Sequence, residues 1–166
     1  MHHQLKIRMA TREDIPTLLK LIKELAEYHK SSDELLATEE ELERSLFGEK
    51  CYAEVILGFE NDSPISYALF CHNFSTLLGK PGLYLVDLYV VSQSRKQGVG
   101  RRMLAHLAKI ALDRSCSRFE WAVMKENNKA RLLYEDIGAK PMEEWVTYRL
   151  AGEAIKELAN STELQD

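Results

Sequence analysis

The spacing of hydrophobic residues changes several times along the chain, and each change marks a boundary between elements. Residues 4–9 alternate Leu5, Ile7 and Met9 with polar neighbours, the two-residue period of a short strand. From Ile15 the period lengthens, as Ile15, Leu18, Leu19, Ile22, Leu25 and Ala26 return every three or four positions. That is a helix with its apolar stripe in the core. Thr11 or Asp14 can cap it, and Pro16 is tolerable only in its first turn. Tyr28-His29-Lys30-Ser31-Ser32 ends it, and Thr38-Glu39-Glu40-Glu41 has the form of a capping box opening a shorter helix through Leu42 and Leu46.

Two apolar runs, 51–60 and 65–73, flank Asn61-Asp62-Ser63-Pro64 and predict an antiparallel hairpin. Residues 74–81 predict a loop and 83–91 a buried strand. The next helix turns Val99, Met103, Leu104, Leu107, Ala108, Ile110 and Ala111 inward, and 118–124 alternates Phe119, Trp121 and Val123 with polar residues as a strand. Asn127 or Asn128 can cap a further helix with Ala130, Leu133, Tyr134 and Ile137 as its stripe and Gly138 as its stop. Residues 144–150 predict a last strand, followed by a short polar helix and a ragged tail. The order predicts a mixed α/β sheet, mostly antiparallel, of six or seven strands flanked by four or five helices.

Composition narrows the classes. With 166 residues, four prolines and eight glycines, and no repeat or linker, the chain has the size of one domain, 1–166. Its net charge of -4 opposes nucleic-acid binding. Cys51, Cys71 and Cys116 are odd in number and lack metal-ligand spacing, so neither a disulfide framework nor a zinc site is expected, and the five histidines form no spaced ligand set. No apolar run has the length of a membrane span, and Met1-His2-His3-Gln4 is unlike the start of a signal peptide, so a cytoplasmic protein is expected.

The chemistry concentrates at Arg95-Lys96-Gln97-Gly98-Val99-Gly100, which follows the buried strand and opens a helix. Gly98 and Gly100 allow a tight turn and a close backbone approach, and the free N–H groups of a helix start attract an anion. Arg101 and Arg102 in that first turn oppose the helix dipole, which a bound diphosphate would reverse; otherwise they lie on a solvated face and the glycines are ordinary turn residues. Asp87 is the one charge in its apolar strand and needs a partner, either a substrate ammonium or a neighbouring arginine or lysine.

Arg95-x-x-Gly98-x-Gly100 after a buried strand, with Asn127 to Tyr134 on a later helix, resembles the Gcn5-related N-acetyltransferase superfamily over nearly the whole chain. Within it the chain is similar to the diamine, spermidine-spermine and thialysine acetyltransferases, through Ile22-Lys23-Glu24-Leu25-Ala26, Ser45-Leu46-Phe47-Gly48-Glu49, Leu83-Tyr84-Leu85-Val86-Asp87-Leu88-Tyr89-Val90 and Leu133-Tyr134-Glu135-Asp136-Ile137-Gly138-Ala139. The resemblance implies acetyl-CoA as co-substrate. Its pantetheine would lie along backbone groups of Leu88, Tyr89 and Val90, and its diphosphate in Arg95, Lys96, Gln97, Gly98, Val99, Gly100 and Arg101, with further contacts from Asn127, Asn128, Lys129 and Ala130. Tyr134 would be the general acid that protonates the departing thiolate, a transfer uphill by only ~2 kcal/mol between a phenol near pKa 10 and a thiol near 8.5. Asp87 and Tyr28 would face the amine, although a tyrosine at a helix end also serves as packing.

Val86 stands where the polyamine enzymes carry a glutamate, so a small primary amine of amino-acid or thialysine-like type is expected rather than a polycation. A polyamine acetyltransferase and a non-catalytic acyl-CoA-binding module are the alternatives. The resemblance also implies a homodimer, with no nucleic-acid or membrane partner and no metal.

Overall fold

The computed structural model describes residues 5–161. Gln4 of the first expected strand, the His2-His3 pair and the tail 162–166 lie outside them. Five strands, β1 (Lys6–Met9), β2 (Glu54–Glu60), β3 (Ser63–Ser75), β4 (Lys80–Val90) and β5 (Phe119–Trp121), form one sheet in sequence order. Neighbours are antiparallel except β4 and β5, which are parallel. The helices are α1 (Ile15–Tyr28), α2 (Glu39–Phe47), α3 (Val99–Asp113), α4 (Asn128–Asp136) and α5 (Glu153–Asn160). The mixed, mostly antiparallel α/β class is as expected.

Local chemistry accounts for the boundaries. Asn61 and Asp62 both have positive φ, 48° and 61°, so a two-residue turn closes β2 onto β3 in the twist a hairpin needs. At the start of α2, Thr38 Oγ1 accepts from the Glu41 amide and Glu41 Oε2 accepts from the Thr38 amide, both at 3.2 Å. α1 ends where Lys30 turns left-handed at φ 57° and the Ser31 amide reaches back to Ala26 O at 2.9 Å, which fixes Tyr28 and His29 at its tip. Gly138, φ 88°, stops α4, with the Ala139 amide on Tyr134 O at 2.9 Å.

Four successive residues of β2, Val55 to Gly58, are buried, so both faces of the sheet are covered. α1 and α3 each pack on β3 and β4. Leu18, Ile56, Leu57, Tyr67, Phe70, Leu83, Met103 and Leu107 are fully buried between these layers. In α1 the buried stripe includes Leu21, which the spacing missed, while Ile22 is only half-buried.

Three differences from expectation have physical reasons. Residues 74–81 are not one loop: β3 and β4 take half of that stretch and leave 76–79 as the turn, with Gly79 at φ 60°. β5 is shorter than 118–124. Residues 144–150 make no ladder among the described residues, so the strand count is five rather than six or seven. Alternation reports which way side chains point, not whether a partner edge is present to accept the backbone. The chain divides into two compact units, Met1–Lys125, which holds the sheet with α1 to α3, and Glu126–Asp166, which holds α4 and α5.

Candidate active site

The register of β4 changes at one residue. Asp87 pairs with Leu69 and Leu85 with Phe70, so Val86 is the extra residue of a β-bulge. On the other side β4 pairs with β5 only through Leu83, Tyr84 and Leu85. The bulge therefore coincides with the parting of the two strands. Beyond it, among the described residues, the β5-facing edge of 86–90 has no strand partner, and its amides and carbonyls are left for something else.

That open edge leads into the glycine turn. Lys96 and Gly98 are both left-handed, φ 61° and 77°, flanking Gln97, the kind of backbone in which successive N–H groups converge on an anion. Gly98 caps α3 with no side chain, and the first intrahelical bond is the Arg102 amide on Gly98 O at 3.0 Å, so the preceding amides are not used by the helix. No acidic residue stands in the first turn of α3, whereas α2 has Glu39, Glu40 and Glu41 in its own. A Cβ built on Gly98 or Gly100 meets nothing within 4 Å, so packing inside the chain does not fill the space above them. Two open glycines, converging amides and the cations Lys96, Arg101 and Arg102 fit a diphosphate.

Asp87 and the end of α1 meet at the same end of β4. Asp87 is half-buried, and burial holds its carboxyl above the ordinary range, partly offset by the nearby charge of His29 and by the Tyr67 hydroxyl. It makes no ion pair with an arginine or lysine among the described residues, so the structural salt bridge that its position allowed is not formed. The Tyr67 hydroxyl is buried without a partner at hydrogen-bonding geometry, yet it is close enough to Asp87 for each to shift the other, and burial pushes the phenol far up. Tyr89 donates to Glu24 Oε2 at 3.2 Å. The Arg95 guanidinium lies over the rings of Tyr28, 4.4 Å away, and Tyr89, 5.5 Å away, and its Nε donates to Val90 O at 2.8 Å.

One unit thus brings together Tyr28, Asp87 to Val90 and Arg95 to Arg101. Tyr67, Glu24 and His29 were not singled out from the sequence. Their signals were weak: Tyr67 lies inside an apolar run, and only its register opposite Tyr89 links it to the site. In the other unit Asn127 caps α4, its Oδ1 accepting from the Ala130 amide at 3.2 Å, and Asn128 and Lys129 occupy the first turn without an acidic neighbour. Tyr134 sits in the next turns of α4, and burial raises its phenol above the usual value, keeping it protonated and a donor. The described residues contain no His, Cys, Asp and Glu grouping able to hold a metal ion, and no helix long and apolar enough to cross a membrane.

Comparison with known proteins gives the family. The profile of the acetyltransferase (GNAT) family matches residues 17–139. A thialysine N-epsilon-acetyltransferase of Bos taurus is 38% identical over 164 residues, covering 92% of this chain and 96% of its own. Its counterpart in Sus scrofa is 37% identical with the same coverage. Among solved structures, an integron cassette protein from the mobile metagenome of V. cholerae superposes with a TM-score of 0.80 at 28% identity, over 93% of this chain and 97% of that one. The chain belongs to the acetyltransferase (GNAT) family and is an acetyl-CoA-dependent N-acetyltransferase.

Proposed function

We propose that the enzyme acetylates the side-chain amine of a small amino-acid or thialysine-like molecule, and that the residues assembled above divide the work. The observation that carries this reading is the open edge of β4 running into a glycine turn with vacant space above Gly98 and Gly100. Acetyl-CoA supplies the thioester. Backbone groups of Leu88, Tyr89 and Val90 hold its pantetheine arm, the amides of 96–101 with Lys96 and Arg101 hold its diphosphate, and Asn127 to Ala130 add contacts from the start of α4. Asp87 attracts the substrate ammonium and, through water, draws off its proton; a buried carboxylate with raised pKa is a better base than an exposed one. Tyr134 protonates the thiolate that leaves.

The substrate class is supported by relatives that act, by name, on thialysine, and by Val86, which stands 49% exposed at the bulge and offers no carboxylate to a polycation. We take both units as one acetyltransferase domain, because the family match runs from 17 to 139 across their boundary. We also propose that the enzyme works as a cytoplasmic homodimer. Its three cysteines are free, as a reducing compartment requires, and Trp145, Val146 and Tyr148 stand exposed on a segment without a ladder.

The test is acetylation of an amine library read by mass. Thialysine, lysine or ornithine is expected as product precursor; acetylated spermidine instead would move the enzyme to the polyamine group. On the best substrate, Tyr134→Phe is expected to lower kcat by ~10²-fold or more while acetyl-CoA still binds. Unchanged turnover would remove Tyr134 from the acid role.

A further inference from the structure

From the cation–π contacts of Arg95 with two tyrosines, we infer that Tyr28 and Arg95 are positioning residues that latch the tip of α1 to the diphosphate turn. The inference rests on the reading that residues 96–101 hold the diphosphate. Arg95 opens that turn, and its cation is the obvious candidate for a direct phosphate contact. Its contacts within the chain give it a second task. Nε donates to Val90 O, and the guanidinium lies over the rings of Tyr28 from α1 and Tyr89 from β4. Tyr89 is in turn anchored to Glu24, one helical turn before Tyr28 on the same helix.

Two contacts thus close a ring: α1 to β4 through Glu24 and Tyr89, and α1 to the turn through Tyr28 and Arg95. A guanidinium over an aromatic face is held by the ring quadrupole and gains from its partial shelter. Tyr28 is 55% exposed, and the ring face it offers lies under the Arg95 cation. The arrangement gives Lys96 and Gly98 a fixed platform for their left-handed backbone, which neither residue secures by itself. Tyr28 therefore acts on the cofactor, through Arg95, in addition to any contact it makes with the amine.

Calorimetric titration of the whole enzyme with coenzyme A and with acetyl-pantetheine, which lacks the diphosphate, tests the latch. Wild type is expected to bind coenzyme A far more tightly; equal affinities would remove the cradle reading itself. Given that preference, Tyr28→Leu is expected to weaken coenzyme A by about fivefold, the worth of a sheltered cation–π contact, and Arg95→Gln, which removes the cation, by at least as much. Acetyl-pantetheine should bind Tyr28→Leu as it binds the wild type. The double variant should be no worse than Arg95→Gln alone, because the contact that Tyr28→Leu removes is already lost with the cation. Tyr28→Phe, which keeps the ring, is expected to restore coenzyme A binding, and this rescue stands as the second variant if Tyr28→Leu does not fold. A Tyr28→Leu enzyme that raises only the amine KM, effects that add in the double variant, or a Tyr28→Phe enzyme that loses coenzyme A would each overturn the latch.

Discussion

At Asp87 stability and function pull in opposite directions. Burial disfavours its charged form, so the folded state holds its proton more tightly than the unfolded chain does. Stability is then lost as pH rises through the raised pKa. Asp87→Asn should accordingly raise the thermal midpoint at pH 7, and the gain should vanish below about pH 4, where both states are protonated. The same variant should lower kcat by ~10²-fold on the preferred amine. Thermal unfolding at pH 7 and pH 3, with activity assays, checks both. That a lone charge in an apolar strand needs a task was legible in the sequence, because the expense of burying it depends on residue type alone. What surrounds it was not: Tyr67 and His29 reach Asp87 through strand register and the end of α1, which are properties of the fold.

Among the elements, α2 and α3 meet the same problem at their N-termini in opposite ways. α2 begins with the Thr38–Glu41 capping box and three glutamates in its first turn, whereas α3 begins with glycines and arginines. Gly100 lies inside α3 with open space beside it, and alanine favours a helix over glycine by roughly 0.5–1 kcal/mol. Gly100→Ala should therefore stabilise the cofactor-free enzyme by that amount and weaken coenzyme A binding, and Gly100→Val should weaken it further. Denaturant titration and calorimetry read the two effects separately. This turn could be read in advance because glycine and capping chemistry are local. The bulge at Val86 could not, since an extra residue in a ladder exists only relative to the partner strand.

Over the whole molecule, the β2–β3 hairpin and the strand-helix-strand unit were visible in the periodicity, the β3–β4 hairpin was not, and the strand predicted at 144–150 was the chief error. Its alternation is real, but the exposed Trp145, Val146 and Tyr148, at 76%, 74% and 94%, belong to an extended segment outside the sheet. An apolar segment of this kind is what a second copy of the chain would cover. Sedimentation velocity is expected to give a dimer, and Trp145→Glu to shift it toward monomer; a monomeric wild type would withdraw the dimer reading.

The splayed strand after Val86 has an evolutionary corollary. If main-chain atoms of 88–90 do the recognising, the genetic code cannot easily erase it, since most substitutions there leave peptide groups in place. Donor choice is then insulated from point mutation, while the acceptor side, written in individual side chains, stays open to revision. A lineage built this way can adopt new amines without relearning how to grip its acyl carrier.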